Sequence, residues 1–300
     1  GKMTNKGWEF RVDAVPFENR DWRVGFYFNI AHNENKITEM PDNYTEENYT
    51  FNNGEYAYRR EEGRPMGSFY GYRYKGVCQN KDATYARDAD GNVMKDISGN
   101  AIVMRNGTAT IAPGDALYED INHDGVINQY DIVYLGNSNP RFTGGAGVNV
   151  SYKQFKLSAI FYGRYGQDVV NSTRLNNESM RGIDNQSTAV LRRWRNEGDQ
   201  TDIPRALYGE GYNTLGSDRF VEDASYLRLK SLSFNYRLPK KIIQRWGFSN
   251  IDVYVTGYNL FTWTKYTGQD PEVKTENTYA RDSATTPASI QLVAGFNLSF

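Results

Sequence analysis

Apolar and polar side chains alternate along this chain over stretches far longer than the strands of most soluble sheets. In residues 7–15, Trp8, Phe10, Val12 and Ala14 alternate with Glu9, Arg11 and Asp13. In 21–33, Trp22, Val24, Phe26, Phe28 and Ile30 stand opposite Asp21, Arg23, Gly25, Tyr27 and Asn29. The same period of two runs through 142–152, 155–165 and 289–300, and it marks β-strands with one apolar and one polar or glycine-rich face. Strands buried on both faces would read as unbroken apolar runs instead. The segments are about 9–13 residues long, against about 5–6 in soluble sheets and about 9–11 for a tilted strand crossing a bilayer. Residues 225–238 and 251–264 add two less regular strands. In 225–238 the face carrying Leu232, Phe234, Tyr236 and Leu238 continues upward into Lys230 and Arg228. That pattern requires either a β-bulge that shifts the phase or a strand whose upper half meets water.

Connection lengths sharpen this reading. Short ones (16–20, 153–154, 239–250) alternate with long ones (34–141, 166–224, 265–288), which is the habit of outer-membrane barrels and has no rationale in a soluble sandwich. The expected fold is therefore all-β: an antiparallel transmembrane β-barrel wall with long extracellular loops and Phe300 at the periplasmic end. Residues 67–77 either add a hairpin to the wall or fold inside the first long loop, giving seven to nine strands. So few strands cannot close a wide barrel, and an open edge in lipid leaves backbone groups unsatisfied. The chain is accordingly expected to be part of a longer polypeptide, its missing strands preceding Gly1.

The bulk composition fits and excludes other classes. Aromatic residues make up 14%, with 23 Tyr, which suits strands and membrane interfaces. Mean hydropathy is -0.72 and no run approaches the ~20 apolar residues of a spanning helix. Basic and acidic side chains number 35 and 36 without a basic run, so nucleic acid is not an expected partner. The single cysteine, Cys78, rules out an internal disulfide.

The motifs resemble those of a known family, the SusC/RagA-like, TonB-dependent outer-membrane transporters of Bacteroidetes. The resemblance is carried in order by NKGWEF (5–10), WRVGFYFNIAHNENKITEM (22–40) and GSFYGYRYKGV (67–77). It continues through GDALYEDINHDGVINQYDIVYLGNSNPRFTGG (114–145), RRWRNEGDQTDIPR (192–205), SYLRLKSLSFNYRLP (225–239) and NLFTWTKYTGQDPE (259–272). It implies a barrel of about 22 strands, of which residues 1–300 would form the C-terminal third. The plug and the TonB-contacting segment have no counterpart here. It further implies import of oligosaccharides or peptides with a SusD-like surface lipoprotein and TonB as partners, in an outer membrane bearing lipopolysaccharide. The other class of reading is a soluble or surface β-rich binding module.

The sharpest local signal is residues 120–131. Asp120, Asn122, Asp124, Val126 (through its carbonyl), Asn128 and Asp131, with Gly125 at the sixth position, follow the spacing of a calcium loop. Asp131 stands where a longer Glu is usual. The loop is similar to that of dockerins, though only one copy is present. A calcium site and a metal-free Asx-rich turn both satisfy this spacing.

No enzyme is expected. Glu46-Glu47 and Glu61-Glu62 are adjacent loop carboxylates, and His32 and His123 are the only histidines. Loop and strand-top aromatics (Tyr70, Tyr72, Trp194, Tyr208, Tyr212, Trp263, Tyr266) are expected mainly to pack loops or form the interfacial girdle. LRRWR (191–195) is expected to form a short amphipathic helical turn.

Overall fold

The computed structural model describes residues 1–42, 56–57, 59–273, 275–276 and 279–300. Glu46-Glu47 lies outside the described residues. Seven long strands form one antiparallel sheet in chain order: β1 (Lys2–Glu18), β2 (Trp22–Glu39), β3 (Phe142–Tyr152), β4 (Phe155–Tyr165), β5 (Tyr226–Arg237), β6 (Asn250–Thr264) and β7 (Gln291–Ser299). Among the described residues no helix is long and apolar enough to cross a membrane.

Register turns the sequence alternation into a surface. Ala14 pairs with Phe26, Phe26 with Val148, Val148 with Ala159, Ala159 with Leu232, Leu232 with Gly257 and Gly257 with Leu292. One row below, Val24, Val150, Leu157, Phe234, Val255 and Ala294 line up in the same way. Directly paired residues share a face, so the apolar face continues across all seven strands. The ambiguity in β5 resolves as a bulge. Register shifts between Leu229 and Ser231, and opposite it between Ile160 and Phe161, return Leu229 and Leu227 to the apolar face. Arg228 thereby falls on the polar face, paired with Tyr162.

Three short connections lie at one end. Asn19 closes the first by accepting from the N–H groups of Asp21 and Trp22 at 2.9 and 2.8 Å. The second, residues 153–154, needs only two residues because Lys153 adopts φ 50°. The third carries the short helix Lys240–Ile243 and reverses at Gly247, whose φ of 81° favours glycine. Aromatics ring this end on the apolar face, with Trp22 on Tyr152 at 4.3 Å and Phe155 on Tyr236 at 4.6 Å. A second ring lies nearer the long connections and includes Trp8, His32, Phe142, Phe161 and Trp263. Trp22 and His32 mark the two rings on β2. Ten residues at about 3.3 Å each, tilted about 40°, put the rings about 25 Å apart, the height of a barrel's lipid belt.

The hydrophobic core is elsewhere. Among the described residues all four clusters of buried apolar side chains come from the long connections, including Tyr70, Tyr118 and Ile127 in one and Phe69, Val170 and Phe220 in another. On the wall, Phe26 is 40% exposed and Phe296 67%, whereas Phe69 and Phe220 in the connections are 0%. Among the described residues no second layer covers the apolar face. Residues 67–77 fold inside the first connection: Ser68–Gly71 pairs with Val133–Asn137, and Tyr74–Val77 with Ala116–Tyr118. Among the described residues the wall therefore has seven strands.

Opposite faces should respond oppositely to charge. In the full-length protein, Phe26→Arg should cost about 2–4 kcal/mol of folding stability in a bilayer, the price of a cation near a barrel's midplane. Ser158→Arg, on the polar face, should cost under about 1 kcal/mol. Urea titration of folding into liposomes compares them, and equal costs would contradict this assignment of faces.

Candidate functional site

The polar face is built from rows as continuous as the apolar ones. Arg11, Asn29, Gly145, Tyr162, Arg228 and Thr262 form one row, and Ala31, Thr143, Arg164, Tyr226 and Thr264 the next. Gly147 leaves room for the ring of Tyr27, which a Cβ there would meet at 2.1 Å. Further toward the short turns, Ser158 donates to Asn149 at 2.7 Å, and Ser233 and Thr256 share a hydrogen bond of 2.8 Å. The face is a sheet of hydroxyls, amides and charges.

Its most concentrated charge lies near the long connections. The Arg228 side chain, 3% exposed, pairs with Asp270 and, at 2.7 Å, with Glu272. Lys230 reaches Glu272 at 2.8 Å. Asp270 also accepts from the N–H groups of Glu272 and Ala288 at 2.9 Å each. Burial alone would raise the Asp270 carboxyl, but these N–H donors and the Arg228 guanidinium outweigh it and hold the carboxyl below its ordinary value. Arg164 donates to the Tyr162 hydroxyl at 3.2 Å, and the ring of Tyr226 lies 5.3 Å from the Arg228 guanidinium carbon.

The long connections lock to one another through buried polar groups. Asp115, 0% exposed, takes both forks of Arg205 at 2.7 and 3.1 Å and a third donor from Asn213 at 3.2 Å. Within the second connection, Glu178 bridges Arg174 at 3.0 Å and Arg219 at 2.8 Å, and Arg174 reaches Glu222 at 3.2 Å. The Tyr56 hydroxyl donates to the Ser217 carbonyl at 2.7 Å. Tyr70, Tyr72 and Tyr266 are buried in these loops, Trp263 sits on the apolar ring and Tyr208 is exposed. Residues 188–192 form a 3₁₀ turn, so the helical turn expected at 191–195 lies about three residues earlier.

The calcium-loop residues are only partly brought together. Asp120 accepts from the N–H groups of Asp124 and Gly125, and Asp124 from that of Val126 at 2.8 Å. The Asn122 amide donates to Asp124 at 2.9 Å. Asp131 turns both oxygens onto N–H groups, of Ile121 and Asn128 at 2.8 Å each, and with Asn128 caps the 3₁₀ turn Gln129–Asp131. The amide of Asn128 donates to the Val126 carbonyl at 3.0 Å. Among the described residues no group of three or more His, Cys, Asp or Glu is placed to hold a metal. Asp120, Asn122 and Asp124 thus share one turn, while Asp131 braces the backbone.

Two further positions bear on chemistry. His32 is hydrogen-bonded through Nδ1 to the Arg141 carbonyl at 2.7 Å and sits among Trp8 and Phe142, a ring position rather than a base. Cys78 is fully buried, and burial pushes its thiol up to about 11, leaving little thiolate at neutral pH.

A twisted antiparallel wall, apolar on one face and polar on the other, with folded loops at one end, is the make-up of an outer-membrane β-barrel. No protein-family model matches the chain. Over 287 residues it is 33% identical to the TonB-dependent receptor P3 of Formosa agariphila, covering 92% of this chain and 26% of that receptor. To the TonB-dependent receptor SusC of Bacteroides thetaiotaomicron it is 25% identical over 310 residues, covering 100% of this chain and 27% of SusC. Its fold is similar to the RagAB peptide transporter, with a TM-score of 0.70 and 26% identity over 99% of this chain and 29% of that one. The chain is a SusC/RagA-like TonB-dependent receptor sequence. It spans about a quarter of the length of the curated relatives it matches. Those relatives are TonB-dependent receptors.

If buried charge pairs hold the loops together, Asp115→Ala should cost about 3–5 kcal/mol locally, because Arg205 and Asn213 lose their acceptor. The loops should become sensitive to trypsin while the barrel band on unheated gels stays unchanged. Unaltered loop protection would contradict that role.

Proposed function

We propose that these residues form the C-terminal wall of an outer-membrane importer that moves nutrient fragments, oligosaccharides or peptides, into the periplasm. The observation that carries the reading is the placement of apolar surface. A seven-strand apolar face lies uncovered while the buried core gathers in the loops. That is the reverse of a soluble domain, and it fits a wall solvated by lipid outside and by water and cargo inside. On this reading the short turns and Phe300 face the periplasm and the long loops face the medium. A SusD-like lipoprotein would bear on those loops and TonB on the part of the receptor that precedes this wall. The soluble binding module is disfavoured because its exposed Phe, Trp and Leu face would need a cover.

Membranes expressing the full receptor test this. A heat-modifiable band in the outer-membrane fraction is expected, together with receptor-dependent uptake of oligosaccharide or peptide that stops without TonB. A protein that fractionates as soluble and folds without detergent would contradict the reading.

The 120–131 turn could take calcium through Asp120, Asn122, Asp124 and the Val126 carbonyl, with Asn128 and Asp131 completing the set once Asp131 releases its N–H donors. Bound calcium would brace the first loop. Calorimetric titration should then show binding that Asp124→Asn weakens about tenfold or more, the effect of losing one charged ligand. No heat of binding at millimolar calcium would leave the turn metal-free.

A further inference from the structure

The cationic cluster on the polar face has more positive charge than its ion pairs use. Arg164, Arg228 and Lys230 bring three cations together, and Asp270 and Glu272 bring two carboxylates. Both carboxylates come from one turn of the third long connection, laid onto the wall 42 and 44 residues along the chain from Arg228. Arg228 holds both of them, and Lys230 shares one. Arg164 makes no ion pair among the described residues, and its hydrogen bond to Tyr162 uses only Nε. Beside it, paired across the strands, is Tyr226, 5% exposed, whose hydroxyl has no partner. A buried phenol O–H without an acceptor, next to a guanidinium with spare donors, is a place where a ligand oxygen would be well received. The rings of Tyr162 and Tyr226, 6.2 Å apart, flank it.

We propose that Arg164, Tyr226, Arg228 and Lys230 form a carboxylate-binding site on the lumen face, which the chain's own Asp270–Glu272 turn partly fills. A cargo carboxylate engages the partly exposed Arg164 first and competes with Glu272 for Lys230 and Arg228, lifting the turn and reaching the Tyr226 hydroxyl. This rests on the importer reading and narrows it to cargo carrying a carboxylate, whether a peptide C-terminus or an acidic sugar. Planar, forked donors recognise that group better than a neutral one of the same size.

The test uses the full-length receptor in detergent, with Glu272→Gln and Arg164→Gln variants and equilibrium dialysis of two probe pairs. One pair is N-acetyl-trialanine and its C-terminal amide, the other trigalacturonate and maltotriose. The acidic member of at least one pair should bind more tightly than its neutral partner. Glu272→Gln should raise that acid's affinity about tenfold by removing the competing charge, and Arg164→Gln should lower it about tenfold. Neutral members should bind all three proteins alike, which a merely structural role for the cluster does not predict. The pair that discriminates names peptide or sugar acid as the source. Equal binding of acid and neutral members, unaffected by Glu272→Gln, overturns the proposal. Heat-modifiability of each variant separates the readings: an assembled barrel that ignores charge sinks this site alone, and absence of any barrel sinks the importer reading too.

Discussion

Everything in this structure depends on the register of one antiparallel ladder. Side chains in a strand alternate strictly between faces, so a slip of a single residue anywhere would interleave Phe and Arg on both sides. Ten-residue strands leave no tolerance for that in a bilayer, where each unpaired backbone group costs several kcal/mol. The shift between Leu229 and Ser231 shows how the constraint is met where the sequence departs from strict alternation. One bulge restores Leu227 and Leu229 to the apolar rows and delivers Arg228 to the polar ones. The charge cluster on the polar face is thus a consequence of the same irregularity that keeps the apolar face intact.

The loops follow a different logic. Between the strands they have no lipid to solvate their apolar groups, so Phe69, Tyr118, Phe220 and their neighbours pack as they would in a small soluble domain. Asp115 with Arg205 ties the first connection to the second, and Glu178 with Arg174 and Arg219 fixes segments within the second. Such pairs add little net stability but penalise every alternative arrangement that leaves one partner alone. The result is a compact assembly of loops joined to the wall through the Asp270–Glu272 turn and through short hydrogen bonds such as that of Thr264 with Ser225.

The wall was largely legible in the sequence because its physics is local. Alternation named the apolar faces of β1 to β4 and β7 correctly, and the order of short and long connections placed the turns at one end. It understated strand length: β1 begins at Lys2 and β2 runs to Glu39, since above the belt side chains need not alternate. The bulge in β5 was recognisable only as two alternatives, because its resolution depends on what Ile160 and Phe161 do across the ladder. The charge cluster was not legible. Asp270 and Glu272 sit in an ordinary polar stretch, and their meeting with Arg228 is set by the third connection's path. Missed too was an eight-residue repeat in the first connection, where Asp88 and Asp96 each accept from N–H groups two and four residues on. For the 120–131 loop the spacing placed Asp120, Asn122 and Asp124 in one turn but not the capping role of Asp131, which comes from the 3₁₀ turn Gln129–Asp131 that closes it.

The central claim is that one face of the sheet meets lipid and the other water. It is tested most directly by spin labels placed singly at positions 26 to 30 of β2 in the full-length receptor, reconstituted in liposomes. Collision with dissolved oxygen and with a water-soluble nickel chelate is then measured at each position. The account predicts a strict period of two: labels at Phe26, Phe28 and Ile30 favour oxygen, and labels at Tyr27 and Asn29 favour nickel. Uniform access to nickel along the strand, or shielding from both reagents at Phe26, Phe28 and Ile30, would contradict it.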